Sequence, residues 1–307
     1  MERIQTWLHG RRRTILLTIF LLGLLPWTAS AQIQFLYFQV DSLSDEPDGA
    51  PGDGACSTSM GTCTLRAAVQ EADVTGGGSI GIPPGLVVLL NGDLDITKNI
   101  TIAGSGSDQT SINAANQNDR VFEIGPAANV TISGVTIEYG TAHGKSFLDY
   151  RSHNHGGGIH NHGTLNLSDS VIQNNRIAQP CKTLCGGGGM FSSGIAVLTN
   201  VTIIDNETLA DGGGIEQGGG TLTLSGCTIM NNAAMNGGGI FSRGNLTIGQ
   251  SFIATNRATS GGGGLFVDTL GGATLTSVGF EGNTAPGGNG IWSLGTTTLK
   301  DVDVQSH

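Results

Sequence analysis

An apolar residue, two variable residues and an asparagine, followed eight or nine residues later by an apolar residue closing a glycine run, recurs along residues 201–291. The frames are Ile203 with Asn206 and Ile215, Ile229 with Asn232 and Ile240, Ile253 with Asn256 and Leu265, and Phe280 with Asn283 and Ile291. The asparagines stand 26, 24 and 27 residues apart, an internal repeat of solenoid length. Between these landmarks the apolar residues alternate with small polar ones, as in Thr221-Leu222-Thr223-Leu224-Ser225, Asn245-Leu246-Thr247-Ile248 and Ala273-Thr274-Leu275-Thr276. A period of two belongs to strands. Three short strands per repeat, joined by turns at Gly and Asn, describe one rung of an all-β, single-stranded parallel β-helix. The L-x-x-L-x-L frame of a leucine-rich repeat is missing, and the period is too short for propeller blades of about 40 residues.

The glycines and asparagines have a structural reason to recur, because a chain that bends three times per rung needs positions tolerant of positive φ. Stacking would bring Asn206, Asn232, Asn256 and Asn283 into one line, where their side-chain amides can bond along the stack. Earlier rungs are less regular, with strand-like segments at 81–90, 94–102, 121–124 and 130–137. The pattern predicts roughly nine or ten rungs from about residue 80 and a rod of roughly 45 Å. Two intervals exceed a repeat: Ile137 to Ile172 spans 35 residues and Ile172 to Ile203 spans 31. Insertions are therefore expected near 141–158 and 177–188, within a β-helix running over 76–307.

Charge and hydropathy change the picture at the start of the chain. Arg3 and Arg11 to Arg13 precede the apolar run Ile15 to Leu25, and Ala29-Ser30-Ala31 follows Pro26. That order predicts a secretory signal over 1–31, a secreted or bacterial cell-surface location and no transmembrane segment in the processed chain. Removing those residues takes the net charge from -10 to -13. Such an acidic chain lacks the basic patch that nucleic acid requires. Residues 41–55, with Asp41, Asp45, Glu46, Asp48 and Asp53 among Gly and Pro, read as a solvated turn-rich loop, with a Ca²⁺ site as the rival reading.

In an exported chain, Cys56 with Cys63 and Cys181 with Cys185 suit two local disulfides, leaving Cys227 free; zinc is the competing use of these thiols. Residues 64–72 read as a short helix whose apolar face is Leu65, Ala68, Val69 and Ala72, with Thr64 as its N-cap. Laid across the open end of a β-helix, it would cover apolar surface and strand edges. It closes an N-terminal region spanning 32–75.

Pro51-Gly52-Asp53-Gly54-Ala55-Cys56, followed by Cys63-Thr64-Leu65-Arg66-Ala67-Ala68 and Glu71-Ala72, resembles the CSLREA domain found near the N-terminus of bacterial secreted β-helix proteins. The family's motif usually has Glu where this chain has Ala67. The later Gly-Gly-apolar and Phe-x-x-Asn repeats resemble those of chlamydial polymorphic outer-membrane proteins, with Phe kept only at Phe280. These resemblances imply a right-handed parallel β-helix of the pectin-lyase-like kind, export, a surface location and adhesion as one role.

The densest set of versatile side chains is His143, Asp149, Tyr150, Arg151, His153, His155, His160 and His162. His153 with His155, and His160 with His162, would share faces if locally extended, and the two pairs together could hold Zn²⁺ or another borderline metal. Insertions on adjacent rungs also tend to form a binding face. The central acids Asp169, Asp205, Glu207, Asp211 and Glu216 fit turn roles, no catalytic set is evident among them, and Arg176, Arg243 and Arg257 could bind a uronate but also fit a solvated wall. Two functions follow as expectations. One is a structural or adhesive module that contacts carbohydrate or a cell-surface protein and stacks end to end at its C-terminus. The other is a lyase or hydrolase of acidic polysaccharide using Ca²⁺ or a near-neutral base.

Overall fold

A computed structural model describes residues 36–116, 118–142, 155–177 and 185–305. Its strands are parallel and return to the same position after each circuit, forming three walls of one right-handed β-helix. The first wall contains Asn129–Ser133, Thr164–Ser168, Ile195–Thr199, Thr221–Ser225 and Asn245–Gly249. The second contains Val171–Gln173, Thr202–Ile204, Thr228–Met230 and Phe252–Ala254. The third contains Leu94–Ile96, Phe122–Ile124, Ile159–Asn161, Met190–Ser192, Ile215–Gln217, Ile240–Ser242, Leu265–Val267 and Ile291–Ser293.

The alternating pattern explains why the stack closes on itself. Leu222 pairs with Ala196 below and Leu246 above, Leu224 with Leu198 and Ile248, and all these side chains are buried. Ile172, Ile203, Ile229, Ile253 and Phe280 form the corresponding line in the second wall. A one-residue slip would turn a whole strand's apolar set outward, so burial on one face holds the register. The third wall has eight strands, and residues 296–305 begin a further circuit. Among the described residues, the estimate of nine or ten rungs compares with eight complete turns and a ninth that 296–305 begins. Tyr37–Gln39 pairs with Gly78–Gly81, but the cap separates the two, so this strand adds no circuit of its own.

The asparagine line begins one turn earlier than the repeat frame suggested, at Asn175. Each amide donates to the next: Asn175 to Asn206 at 3.0 Å, Asn206 to Asn232 at 3.0 Å, Asn232 to Asn256 at 2.9 Å and Asn256 to Asn283 at 3.0 Å. The same amides also satisfy main-chain carbonyls, as Asn232 does at Ile203 and Met230. The left-handed backbone falls one residue earlier, at Asn174, Asp205, Asn231 and Thr255. Turning the chain and lining the corner are thus separate tasks for neighbouring residues.

The cap helix spans Leu65–Thr75; Thr64 accepts from the Ala67 amide and Gly76 ends the helix in the left-handed conformation. Leu65, Ala68, Val69 and Ala72 are buried against the first turns. The preceding polar stretch is not simply a solvated loop. Asp45 and Asp48 are 3% and 8% exposed, because main-chain N–H groups and Arg66 meet their carboxylates. Cys56 and Cys63 form a disulfide, Cys185 is disulfide-bonded, and Cys227 is free and buried. The signal segment 1–31, His143, Asp149, Tyr150, Arg151, His153 and Cys181 lie outside the described residues, as does most of each expected insertion. Their flanks meet in register, Thr141 and Ala142 pairing with Arg176 and Ile177, and His155 bridging Gly186. Among the described residues no helix is long and apolar enough to cross a membrane.

Candidate functional site on the third wall

Each third-wall strand is three residues long, so its middle side chain points away from the core while its neighbours point in. Register places Asp95, Glu123, His160, Phe191, Glu216, Phe241, Phe266 and Trp292 in one outward line. Acids and imidazole occupy its N-terminal part, and aromatic rings its C-terminal part. Adjacent turn residues bury much of the line, His160 being 1% and Phe241 2% exposed.

Around Glu123 the chemistry is dense. Arg120, its side chain 5% exposed, donates to Glu123, approaches His160 Nδ1 at 3.0 Å and lies 3.9 Å from Asp93 Oδ2. Asp93 enters from the Asn91-Gly92 turn before the third-wall strand, and Asp119 accepts from the Arg120 main chain. One oxygen from each of Asp93, Asp95 and Glu123 lies within 4.8 Å of the others. Glu123, His160 and His162 form a second such set. Burial pushes the Asp93 carboxyl up to about 7, with Asp119, Asp95 and Glu123 adding repulsion and Arg120 opposing it. Desolvation and like charge both disfavour the anion, so the proton stands where further positive charge would also be stabilised.

The two sets suit different cations. Three carboxylates offer the hard oxygens that Ca²⁺ prefers, and ligands on opposite sides of that ion lie about 4.6–5.2 Å apart. Glu123 with two imidazoles suits a borderline metal. Arg120 already holds Glu123 and His160, so the mixed set must displace a guanidinium before both donors turn to a metal. The oxygen set is the better fit, because only Glu123 must turn from the guanidinium and three carboxyl groups converge there beside one Arg.

Of the four histidines named from sequence, the structure brings His155, His160 and His162 together, while His153 lies outside the described residues. His160 and His162 have ring centroids 4.2 Å apart, and His162 meets Ser193 Oγ at 2.8 Å. His155 is not in the metal-capable set; it packs 4.0 Å from Phe191 and sets Nδ1 3.6 Å from Glu216 Oε2. Arg243 is no solvated wall residue. It reaches Glu216 at 2.7 Å, Asp211 at 3.0 Å and Asp268 at 3.0 Å, and lies 4.3 Å over Phe241. Burial holds the Asp211 carboxyl above its ordinary range, with Glu216 adding repulsion. At Asp268, burial acts upward but is outweighed by bonds from Thr269 and Arg243, leaving a net downward shift. Beyond Arg243 the rings continue, Phe241 to Phe266 at 5.1 Å and Phe266 to Trp292 at 5.9 Å.

Sequence reasoning missed Asp93, Asp95, Asp119, Arg120 and Glu123. The available signal was their placement about the apolar residues Leu94 and Phe122, which pair on successive turns.

No protein-family profile matches the chain, and no curated protein matches it. Among solved structures it is similar to the crystal structure of pectate lyase Pel9A, at 12% identity and a TM-score of 0.48, covering 89% of this chain and 80% of that one. A likeness this distant concerns the path of the backbone and leaves the chemistry to the residues themselves.

Proposed function

We propose that this chain is an exported β-helix that cleaves an acidic extracellular polysaccharide, using the third-wall cluster of Asp93, Asp95, Glu123, His160 and His162. The observation that carries this reading is the convergence of three carboxylate oxygens within 4.8 Å beside a buried guanidinium and an imidazole pair. Asp95 and Glu123 would be the principal cation ligands. A divalent cation there would offset the charge of a uronate carboxylate and acidify the adjacent C–H. Asp93, whose carboxylate converges with those of Asp95 and Glu123, would be the base once ionised. It would take the proton α to the uronate carboxylate; the electron pair would form the ring C=C as the glycosidic oxygen leaves with its bonding electrons. His160 and His162 border the same space and provide additional donors.

One observation favours a second reading, cation-bridged binding without turnover. Thr131, Thr223, Thr247 and Thr274 lie outward on the first wall, on strands paired without a register shift, which suits non-catalytic contact with carbohydrate or a cell-surface protein. Incubating the purified protein with acidic polysaccharides, with Ca²⁺ or a chelator, separates the readings through unsaturated-product absorbance and reducing ends. Cleavage lost in both Asp93→Asn and Glu123→Gln supports the lyase. Reducing ends without unsaturated product would assign a hydrolase, and chelator-sensitive saturable binding alone would assign the binding module. Neither turnover nor binding rejects both.

A further inference from the structure

The turn that carries Asp93 is held by the N-terminal cap. Asp45 Oδ2 accepts from the Leu90 amide at 2.7 Å and the Asn91 amide at 2.9 Å, and Asn91 Nδ2 donates to the Asp45 carbonyl at 2.7 Å. Arg66, on the cap helix, pairs with the same carboxylate at 2.9 and 3.2 Å. Its remaining donors reach the main-chain carbonyls of Gly92 and of Asp93 itself, the latter at 3.0 Å. Two cap-region side chains therefore grip both the N–H and C=O groups of one four-residue turn. Asp45 is braced on either side, where Asp41 accepts from the Cys63 amide at 2.8 Å and Thr64 Oγ1 donates to the Glu46 carbonyl at 2.6 Å. Cys63 is tied to Cys56 by the disulfide.

We infer that Arg66 and Asp45 are positioning residues for the third-wall cation site, and that the cap is therefore a working part of that site. The inference rests on the cation reading of Asp93, Asp95 and Glu123. Covering the open end of the β-helix is already accomplished by Leu65, Ala68, Val69 and Ala72. A buried ion pair is not needed for that, since desolvating both charges offsets much of their attraction. What the pair adds is direction: a planar guanidinium can serve a carboxylate and two carbonyls at once, whereas an ammonium cannot reproduce that fork. If cap docking and cation binding both depend on the 90–93 turn, each must strengthen the other by the same factor.

Titration of the full processed chain with Ca²⁺ by calorimetry, alongside amide hydrogen exchange at Leu90 and Asn91, tests this. Arg66→Lys is expected to weaken Ca²⁺ about tenfold and to speed exchange at both amides, and Asp45→Asn to do the same. Val69→Ala thins the packing beneath a cap that stays docked with the Arg66–Asp45 grip in place, so at matched loss of thermal stability it should leave the affinity near the wild-type value. Saturating Ca²⁺ should slow exchange at Leu90 and Asn91 in the wild type and leave it unchanged in Glu123→Gln. Wild-type affinity in Arg66→Lys, or an equal loss in Val69→Ala, overturns the positioning role while the site stands. If Arg66→Lys does not fold, the Asp45→Asn result decides by the same criteria. Failure of the wild-type protein to bind Ca²⁺ overturns the site reading, and this inference with it.

Discussion

Asp93 illustrates how one side chain can oppose the stability of its own fold. Its carboxyl titrates at about 7 in the folded chain, above the ordinary 3.8. The folded state therefore keeps a proton that the unfolded state has released, and the stabilisation from this group is complete below about pH 4 and lost as the pH rises to 7. In chelator, Asp93→Asn is expected to melt with the wild type near pH 4 and roughly 10 °C above it at pH 8, since the shift is worth about 4 kcal/mol and each kcal/mol moves the midpoint of a chain this size by about 2–4 °C. A constant difference across that range would contradict the assignment. Arg243 presents the opposite case. Removing it takes the guanidinium from Glu216, 2% exposed, and leaves the His155 ring at 3.6 Å. Arg243→Ala should cost about 3–5 kcal/mol in urea unfolding, against roughly 0.5 kcal/mol or less for the exposed Arg257→Ala.

At the scale of elements, the asparagine line gives a sharper contrast than any single strand. Asn232 accepts from Asn206 and donates to Asn256, Ile203 and Met230, all within the stack. Asn232→Ala strands several buried polar groups and should destabilise by on the order of 3 kcal/mol or more, whereas Asn245→Ala on the exposed first-wall surface should be near neutral in the same denaturation assay. The walls and the Asn206–Asn283 line were legible in the sequence because period and spacing alone specify them. Asn175 fits the same frame after Ile172, but the extra residues before Met190 hid its glycine-run landmark. The cap helix was legible from Thr64 and its apolar face. The Asp45–Arg66 grip was not, because nothing local tells an acid in a polar stretch that its donors lie 21 to 46 residues away.

For the whole molecule, the same contrast separates fold from function. Stacking is a property of repeats, so a repetitive sequence exposes it; a site is a departure from the repeat, assembled from turns that resemble one another only in three dimensions. Asp93, Arg120 and His160 come from successive turns, and no spacing rule joins them. The export reading stands on residues 1–31 and has its own check: the protein recovered from a culture medium should begin at Gln32, and recovery with Met1 intact would reject processing after Ala31.

The constant register has one more consequence. Residues 221–225 pair with 195–199 on one side and 245–249 on the other, at equivalent positions. Excising 221–244 would bring 245–249 beside 195–199 in the same register and join Asn206 to Asn256, at the cost of Arg243, the guanidinium that meets Glu216. The molecule should thus behave as a ruler, its length adjustable by splicing in steps of about 4.8 Å, without disturbing the end where the acidic cluster sits.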